Sequence, residues 1–280
     1  DVSADPCSVT FNDLAAIHPE VRIATTGTVD LSSTRLKDAR AIAHYHPPQS
    51  GATDSNTPFS WRADMSMQGT IVPLELFVES SLRGENVAVG KQRVANLQAE
   101  LEADIDDKQI RFASSKAVNI LDGTFQISGW HKFSSQATHV LIEVADIAIP
   151  SIAKVIGLRN ADVEGTAGGE LHFDAPALDA DRFIASGKWR AEQVRTAAFE
   201  AEEAHGEVFL QGGRLSLDSI DLRHRGGSAS GKVVLNLNQP NLVRVDVELQ
   251  DWPLAFAGKP WRNRLSGELE GLIDIVRKQG

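Results

Sequence analysis

Two neighbouring stretches decide the fold: Lys232-Val233-Val234-Leu235-Asn236-Leu237 and Val243-Arg244-Val245-Asp246-Val247-Glu248-Leu249. Apolar and polar residues alternate in both, and a strand with this period has one apolar side and one side in water. The sequence Asn238-Gln239-Pro240-Asn241 between them is typical of a turn. The pair therefore predicts two antiparallel strands that share an apolar face.

The same alternation recurs along the chain about every 10 residues, which is the spacing of antiparallel meanders. Glycine turns such as Gly212-Gly213 and Gly226-Gly227 separate the alternating stretches. The sequence thus predicts a mainly β fold: a curved antiparallel meander sheet, or several, built from repeated β units with a few short helices. An open groove and a sandwich are both compatible with this pattern. The clearest further strands are Gly123-Thr124-Phe125-Gln126-Ile127-Ser128, Val140-Leu141-Ile142-Glu143-Val144, Leu215-Ser216-Leu217 and, as a separate strand, Ile220-Asp221-Leu222.

An aspartate marks three places where an alternating stretch precedes a predicted short helix. These aspartates are Asp13, Asp146 and Asp251, and an apolar residue follows each one. Because aspartate is a favoured residue at helix N-caps and turns, we expect all three in such positions. The predicted helices cover residues 12–19, 150–158 and 252–256, a Gly-rich strand follows each, and the alanine-rich residues 197–204 are predicted as a strand.

This repeated order predicts a chain built from repeated β units. Residues 1–20 would end a preceding unit, and residues 21–158 would form the first repeat unit, with a loop insertion near residues 47–58. Residues 159–262 would form the second unit, and residues 263–280 would begin a following one. The chain starts with Asp1 and has neither a signal peptide nor a run of about 18 apolar residues, so we expect a segment of a longer protein.

The acidic composition restricts the possible partners. The formal net charge is −10 at pH 7, which argues against nucleic-acid binding because phosphate backbones repel an acidic surface. It also disfavours electrostatic docking on an anionic membrane. The single cysteine, Cys7, cannot form an internal disulfide or a cysteine-based zinc site.

No motif indicates catalysis or a cofactor. The sequence His44-Tyr45-His46 places two imidazoles on one side of a strand, but further metal ligands are missing nearby. The cluster Gly165-Thr166-Ala167-Gly168-Gly169 lacks the pattern of a phosphate-binding loop, and Gly227-Ser228-Ala229-Ser230-Gly231 has alanine where a nucleophile would stand. The carboxylates Asp104, Asp106, Asp107, Glu200, Glu202 and Glu203 are interpreted as solvated. We expect a protein that is not an enzyme and holds no metal or cofactor.

Several stretches resemble a known family. Residues 163–173 and 265–275 combine glycines with alternating apolar residues, and the predicted strand and helix around Asp251-Trp252-Pro253-Leu254 look similar to the same family. The sequence Gly206-Glu207-Val208-Phe209-Leu210-Gln211-Gly212-Gly213-Arg214-Leu215-Ser216-Leu217 has the same character. In these features the chain resembles the AsmA-like family, the AsmA and TamB type of repeating β-groove envelope proteins. The resemblance is good over residues 160–275 and weaker over residues 1–160.

The resemblance implies a long, taco-like β-groove in the envelope of diderm bacteria. Such proteins are anchored in the inner membrane and reach across the periplasm, where they pass phospholipids to the outer membrane or support its assembly. The expected partners are therefore phospholipid or other lipid acyl chains and, in addition, outer-membrane assembly proteins. The expected location is the periplasm, with the inner-membrane anchor outside this segment.

An apolar groove would bind acyl chains without directional chemistry, in proportion to the apolar area that is buried. The groove candidates are Phe125, Ile127, Ile142, Val144, Leu171, Phe173, Leu215, Leu217, Val233, Leu235, Leu237, Val245, Val247 and Leu249. The alternative is a structural or scaffolding β-repeat that binds a protein partner through an edge strand or its surface, without lipid. A polysaccharide-cleaving enzyme is a third hypothesis, which would need two carboxylates facing a cleft.

Overall fold

The computed structural model describes residues 2–5, 7–17, 21–45, 60–89, 92–155, 163–176, 184–196, 200–236, 242–253 and 268–278. Eighteen strands and one short helix lie in these ranges. The chain divides into two compact units. Unit 1 comprises residues 1–120 and 125–136, and unit 2 comprises residues 121–124 and 137–280.

Unit 1 is an antiparallel meander in which each strand from β1 to β8 pairs with the next, and β8 pairs with β10. Most of its strands have 10 to 15 residues, which exceeds the usual strand length of about 5–6 residues. The strands are β1 (Val2–Ala4), β2 (Ser8–Ile17), β3 (Val21–Asp30), β4 (Arg35–Tyr45), β5 (Ser60–Thr70), β6 (Glu75–Val89), β7 (Gln92–Asp106), β8 (Gln109–Ser114), β9 (Val118–Ile120) and β10 (Gly123–Lys132).

Unit 2 is also an antiparallel meander, in which each strand from β11 to β18 pairs with the next. A short helix, α1, follows β11 and packs on β11 and β12. The elements are β11 (Thr138–Ala148), α1 (Ile149–Val155), β12 (Val163–Ala175), β13 (Ile184–Thr196), β14 (Glu200–Gln211), β15 (Arg214–His224), β16 (Gly227–Asn236), β17 (Leu242–Pro253) and β18 (Glu268–Lys278).

Within each unit the sheet is open, and the described residues form no filled sandwich core. Strands contact mainly their neighbours in the sheet, and most buried apolar residues of the described chain are alanines. No large side chain in the described ranges is fully buried, whereas two packed sheets would enclose large residues between them. The predicted mainly β, antiparallel meander is confirmed, and each unit taken alone has the open arrangement.

The three marking aspartates lie inside strands, so the prediction of helix N-caps or turns is wrong. Asp13 lies in β2, Asp146 in β11 and Asp251 in β17, and the strand register shifts at each position, as in a β-bulge. At Asp146, φ is 57°, a conformation that aspartate tolerates better than most residues. The helix α1 begins only at Ile149, too far along the chain for Asp146 to be its N-cap.

A glycine of the following strand faces each bulge. Phe11 lies opposite Gly27, Val144 opposite Gly169, and Leu249 opposite Gly271. Asp38 in β4, with φ 49°, adds a fourth bulge, beside the pair Leu36 and Gly69. A bulge bends its strand, and glycine lets the neighbouring backbone approach closely. The marking aspartate and the glycine that faces its bulge therefore repeat in the sequence because a bent strand pair repeats in the fold.

The remaining helix and strand predictions have mixed outcomes. Helix α1 confirms the prediction for residues 150–155, and residues 156–158 lie outside the described ranges. The helix predicted at residues 12–19 is wrong where it is described, because residues 12–17 belong to β2 and pair with β3. Residues 252 and 253 belong to β17 and not to a helix, whereas residues 254–256 lie outside the described ranges.

Two predictions concern β14 and β15. Residues 200–204 belong to β14, which confirms the predicted strand there, and residues 197–199 lie outside the described ranges. The two strands predicted at residues 215–217 and 220–222 are one strand, β15, with a bulge at Ser219. The bulge keeps both halves of β15 paired with the same neighbouring strands, which a turn would not allow.

Aspartates at strand ends hold the turns. Asp106 accepts hydrogen bonds from the backbone N–H groups of Lys108 at 2.7 Å and Gln109 at 2.8 Å, and these bonds lower the pKa of its carboxyl group. Asp30 similarly accepts bonds from Ser32 and Lys37, and its pKa is also lowered, first by the side-chain bond from Ser32. The predicted solvated turn role of Asp106 is therefore confirmed.

We expect Asp106→Asn to destabilise unit 1 in a pH-dependent way. Because the folded pKa of Asp106 lies below its unfolded value of 3.8, its charge stabilises the fold above about pH 4, and this contribution is lost as pH falls through the folded pKa. Urea unfolding should show a lower midpoint for the variant at pH 7, and the difference should shrink below pH 4. Asp107→Asn in the same turn is the control, and an equal effect there would contradict the assignment.

Candidate functional site

One face of the sheet in unit 2 carries apolar residues in rows that cross the strands. Residues that are directly opposite in register lie on the same face, so the register defines each row. The central row contains Ile142, Leu171, Gly187, Val208, Leu217 and Val233. A second row contains Val140, Phe173, Ala185, Leu210 and Leu215, and we call the two rows together the unit-2 apolar face.

The large side chains of the unit-2 apolar face are half-buried, none of them exposed and none fully enclosed. Their shielding comes from neighbours in the same sheet, because no second sheet of unit 2 packs on them in the described residues. The central row crosses six strands, which corresponds to roughly 24 Å at the usual strand spacing. That exceeds the roughly 15 Å that one acyl chain occupies in half of a bilayer core.

The opposite face of unit 2 is polar. A row across five strands contains Glu143, Glu170, Lys188, Glu207 and Asp218. Asp218 Oδ1 forms an ion pair with Lys232 Nζ at 2.5 Å, and Asp218 Oδ2 accepts a hydrogen bond from Ser216 Oγ at 2.7 Å. The bond from Lys232 is the main cause of the lowered pKa of the Asp218 carboxyl group. The sheet of unit 2 is therefore amphipathic, with one face suited to water and the other to apolar ligands.

Helix α1 packs at one end of the unit-2 apolar face. Ile149 of α1, together with Trp189 and Leu222, contacts a buried cluster of small residues from β13 and β14, which are Ala191, Val194, Ala201 and Ala204. The indole of Trp189 lies over Gly206, where an added Cβ would approach Nε1 to 3.1 Å. This end of the face is filled by the protein, and the two rows of larger side chains lie beyond it.

The sheet of unit 1 has an apolar face as well, built in the same way. We call its three rows the unit-1 apolar face: Ala43, Ala63, Leu82 and Ala99; Ala41, Met65, Ser80 and Leu101; and Ala39, Met67, Val78, Ala103 and Phe112. At the end of this face the rings of Tyr45 and Trp61 stack with their centroids 6.3 Å apart.

Six of the fourteen predicted groove candidates lie in the rows of the unit-2 apolar face. Phe125 and Ile127 lie in β10, on the same side as Gly129, which faces Phe112 of unit 1. Leu237 lies outside the described residues. The pairing of strands continues through β16 and β17, and four further candidates occupy paired backbone positions there: Leu235, Val245, Val247 and Leu249. The candidates in the rows of the unit-2 apolar face are Ile142, Leu171, Phe173, Leu215, Leu217 and Val233. Val144 lies beside them in β11.

The apolar rows of β4 to β7 were not predicted from the sequence. Alternation is present there, for example in Ala39-Arg40-Ala41-Ile42-Ala43, but alanine and methionine give a weak hydrophobic signal. In the sheet these alanines are among the most buried residues, with Ala39 only 2% exposed. Small buried residues beside larger half-buried ones form a shallow apolar surface.

The metal candidates do not assemble into a site in the described ranges. His44 lies on the polar face of unit 1, and His46 lies outside the described residues. No group of three or more His, Cys, Asp or Glu side chains that could hold a metal is found among the described residues. Glu200, one of the carboxylates interpreted from the sequence as solvated, forms an ion pair with the guanidinium of Arg195. No helix in the described part of the chain has the length and apolar character needed to cross a bilayer.

Comparisons with family models, with curated proteins and with solved structures find no match for this chain. The resemblance to the AsmA-like family therefore stays a prediction.

Proposed function

We propose that this chain binds phospholipid acyl chains along the apolar faces of its sheets, as a segment of an AsmA-like envelope protein. In that role it would pass phospholipids between the inner and outer membranes or support outer-membrane assembly. The observation that supports this most is the central row of the unit-2 apolar face, whose large side chains are half-buried with no covering layer of unit 2 among the described residues. An acyl chain is the kind of ligand that such a row can shield from water.

The energetics favour weak, mobile binding. Burial of apolar surface contributes about 25 cal/mol per Å², so a contact of roughly 200 Å² would contribute about 5 kcal/mol. Part of that is offset by the freedom that the lipid loses on binding. An apolar row has no directional contacts that would fix one position along it, so a bound chain could move from strand to strand.

The proposed location depends on the sequence resemblance alone. Members of the AsmA-like family act in the periplasm, so we place this segment there, with an inner-membrane anchor elsewhere in the full-length protein. Phospholipids of the two membranes would then be its partners, together with outer-membrane assembly proteins. Detection of the full-length protein in the inner-membrane fraction, with this segment accessible to protease only after the outer membrane is opened, would support the placement.

The proposal is tested by the lipids that the protein retains. We expect mass spectrometry of the protein, purified in a mild detergent, to detect bound phospholipid. We also expect saturable binding of a fluorescent acyl probe that added phospholipid displaces. Absence of both would contradict the proposal and would favour the scaffolding alternative, in which a crosslinked protein partner would be recovered instead.

A further inference from the structure

Three cavities lie in line along strands β5, β6 and β7 on the polar face of unit 1, the face opposite the unit-1 apolar face. A cavity of about 690 Å³ at the turn end includes Phe77 and Asp104 in its lining. A second cavity of about 690 Å³ begins one row further along the same strands, at Glu79 and Glu102. The third, of about 410 Å³, shares Glu100 with the second. We call the three cavities together the polar cleft.

The polar cleft is long enough for a chain-like ligand. Along β7 its lining runs from Asp106 to Gln98, which corresponds to roughly 27 Å at the usual rise per residue of a strand. Residues of β4 line one side, and residues 115–119 after β8 line the other. Each cavity has a volume within the usual range for small-molecule sites, roughly 300–1,000 Å³. An extended ligand of several small units therefore fits better than a single compact molecule.

The charges that line the polar cleft nearly cancel, so it favours neither an anion nor a cation. The cations are Arg35, Lys37, Arg40, Arg83, Arg111 and Lys116. The carboxylates are Asp64, Glu75, Glu79, Glu100, Glu102, Asp104 and Asp106. Neutral donors and acceptors lie among them, for example Gln68 and Asn96. Because complementary charge governs which partner is accepted, the matching ligand is neutral and rich in hydrogen-bonding groups.

Carboxylates face each other across β6 and β7 at the base of the polar cleft. Glu75 lies opposite Asp106, and Glu79 lies opposite Glu102, although like charges in this position are destabilising. Glu75 and Glu102 make no hydrogen bond or ion pair with any residue that the structure describes. Hydroxyl groups of a ligand would donate hydrogen bonds to these oxygens, and hydrogen bonds to an ionised acceptor are stronger than neutral ones.

Phe77 lies between the two pairs of carboxylates. It faces Gln68 of β5 and Asp104 of β7, and its ring is half-buried. The polar cleft thus combines an apolar ring with hydrogen-bonding groups on both sides of it. A sugar ring is amphipathic in the same sense, because its hydroxyl groups point outward from its edge and its C–H groups form an apolar face. The apolar body of Phe77 suits that face.

We propose that the polar cleft binds a neutral oligosaccharide, with one sugar ring packed on Phe77. Hydroxyl groups of that sugar and the next one donate to Asp104, Glu79 and Glu102. This site lies on the opposite face of the sheet from the acyl chains, so it goes beyond the proposed function and does not depend on it. A lysine-rich peptide is the other chain-like ligand that carboxylates attract, and the cations of the polar cleft disfavour it.

The test is a glycan array with neutral, acidic and basic oligosaccharides, followed by calorimetric titration with the neutral oligosaccharide that binds best. We expect saturable binding with nearly equal affinity at low and high salt, because a neutral ligand is not screened. Phe77→Ala should lower the affinity about tenfold through the loss of ring packing. Phe112→Ala, which removes a half-buried phenylalanine from the unit-1 apolar face, should leave the affinity unchanged.

Glu102→Gln separates a role in binding from a role in folding. It should lower the affinity about tenfold, the effect of one charged hydrogen bond. The midpoint of urea unfolding should stay the same or rise, because the repulsion between Glu79 and Glu102 is removed. The control is Glu143→Gln in unit 2, where Glu143 faces Glu170 in the same manner, and it should leave the affinity unchanged.

The remaining outcomes contradict the inference. Binding restricted to basic glycans or a lysine-rich peptide, and lost at high salt, would show that the polar cleft acts only through its carboxylates. Binding restricted to acidic glycans would show that its cations dominate. Absence of glycan binding, or equal effects of Glu102→Gln and Glu143→Gln, would also overturn it. Acyl-chain binding is measured separately, so each of these results leaves the proposed function standing.

Discussion

Replacing Val208 by aspartate should abolish acyl-chain binding to unit 2, whereas replacing Phe209 by aspartate should leave it intact. Val208 lies in the central row between Gly187 and Leu217, on the unit-2 apolar face. A carboxylate there would have to be desolvated by any acyl chain that crosses it, at a cost of several kcal/mol. Since about 1.4 kcal/mol corresponds to a tenfold change, we expect affinity to fall by a factor of about 100 or more.

Phe209 is a matched control because it is the next residue of β14 and lies on the polar face, opposite Ser186 and Ser216. It is 40% exposed, so aspartate there removes an apolar side chain and adds the same charge without touching the row. Titration with a fluorescent acyl probe would measure both variants, after circular dichroism shows that each retains its strands. Equal losses of affinity, or no loss in either variant, would contradict the assignment of the binding face.

Replacing Gly187 by alanine should strongly destabilise unit 2. A Cβ at Gly187 would overlap the carbonyl oxygen of Glu170, which belongs to the backbone of the paired strand β12. The two strands would have to separate locally, and overpacking of this kind typically costs 1–3 kcal/mol, so we expect about 3 kcal/mol. The midpoint of urea unfolding should fall accordingly at an unchanged slope.

Gly212→Ala provides the comparison for this prediction. Gly212 lies in the turn between β14 and β15 with φ 55°, and an added Cβ there would meet no atom within 4 Å. The variant should therefore lose only about 1 kcal/mol, the cost of placing alanine in a conformation that glycine adopts freely. If Gly187→Ala were as mild as Gly212→Ala, the close approach of β12 and β13 would be wrong.

Much of the strand pattern was predictable because period-two alternation is a local signal. Val140-Leu141-Ile142-Glu143-Val144 is part of β11 and Gly123-Thr124-Phe125-Gln126-Ile127-Ser128 is part of β10, as predicted. The marking aspartates were misinterpreted, because aspartate suits both a helix N-cap and a bulge with positive φ. Only the pairing of Val144 with Gly169, which lies on the neighbouring strand β12, shows that Asp146 occupies a bulge.

The candidate sites depend on register to different degrees. Residues of one strand on the unit-2 apolar face, such as Leu215 and Leu217, could be recognised from alternation alone. The central row as a whole could not, because Ile142, Leu171 and Val208 lie far apart in the sequence and become neighbours only through the pairing of the strands. The alanines of the unit-1 apolar face were missed because a small apolar side chain carries little periodic signal.

The central claim is that acyl chains lie on the apolar face of each sheet and not on the polar face. A photo-crosslinking amino acid placed singly at positions 171, 208 and 217, and at positions 186 and 209 of the polar face, tests it directly in a lipid-containing preparation. The account predicts phospholipid adducts, identified by mass spectrometry, at the first three positions and none at the other two. Adducts at positions 186 and 209 as abundant as those at position 208, or no lipid adduct at any position, would contradict it.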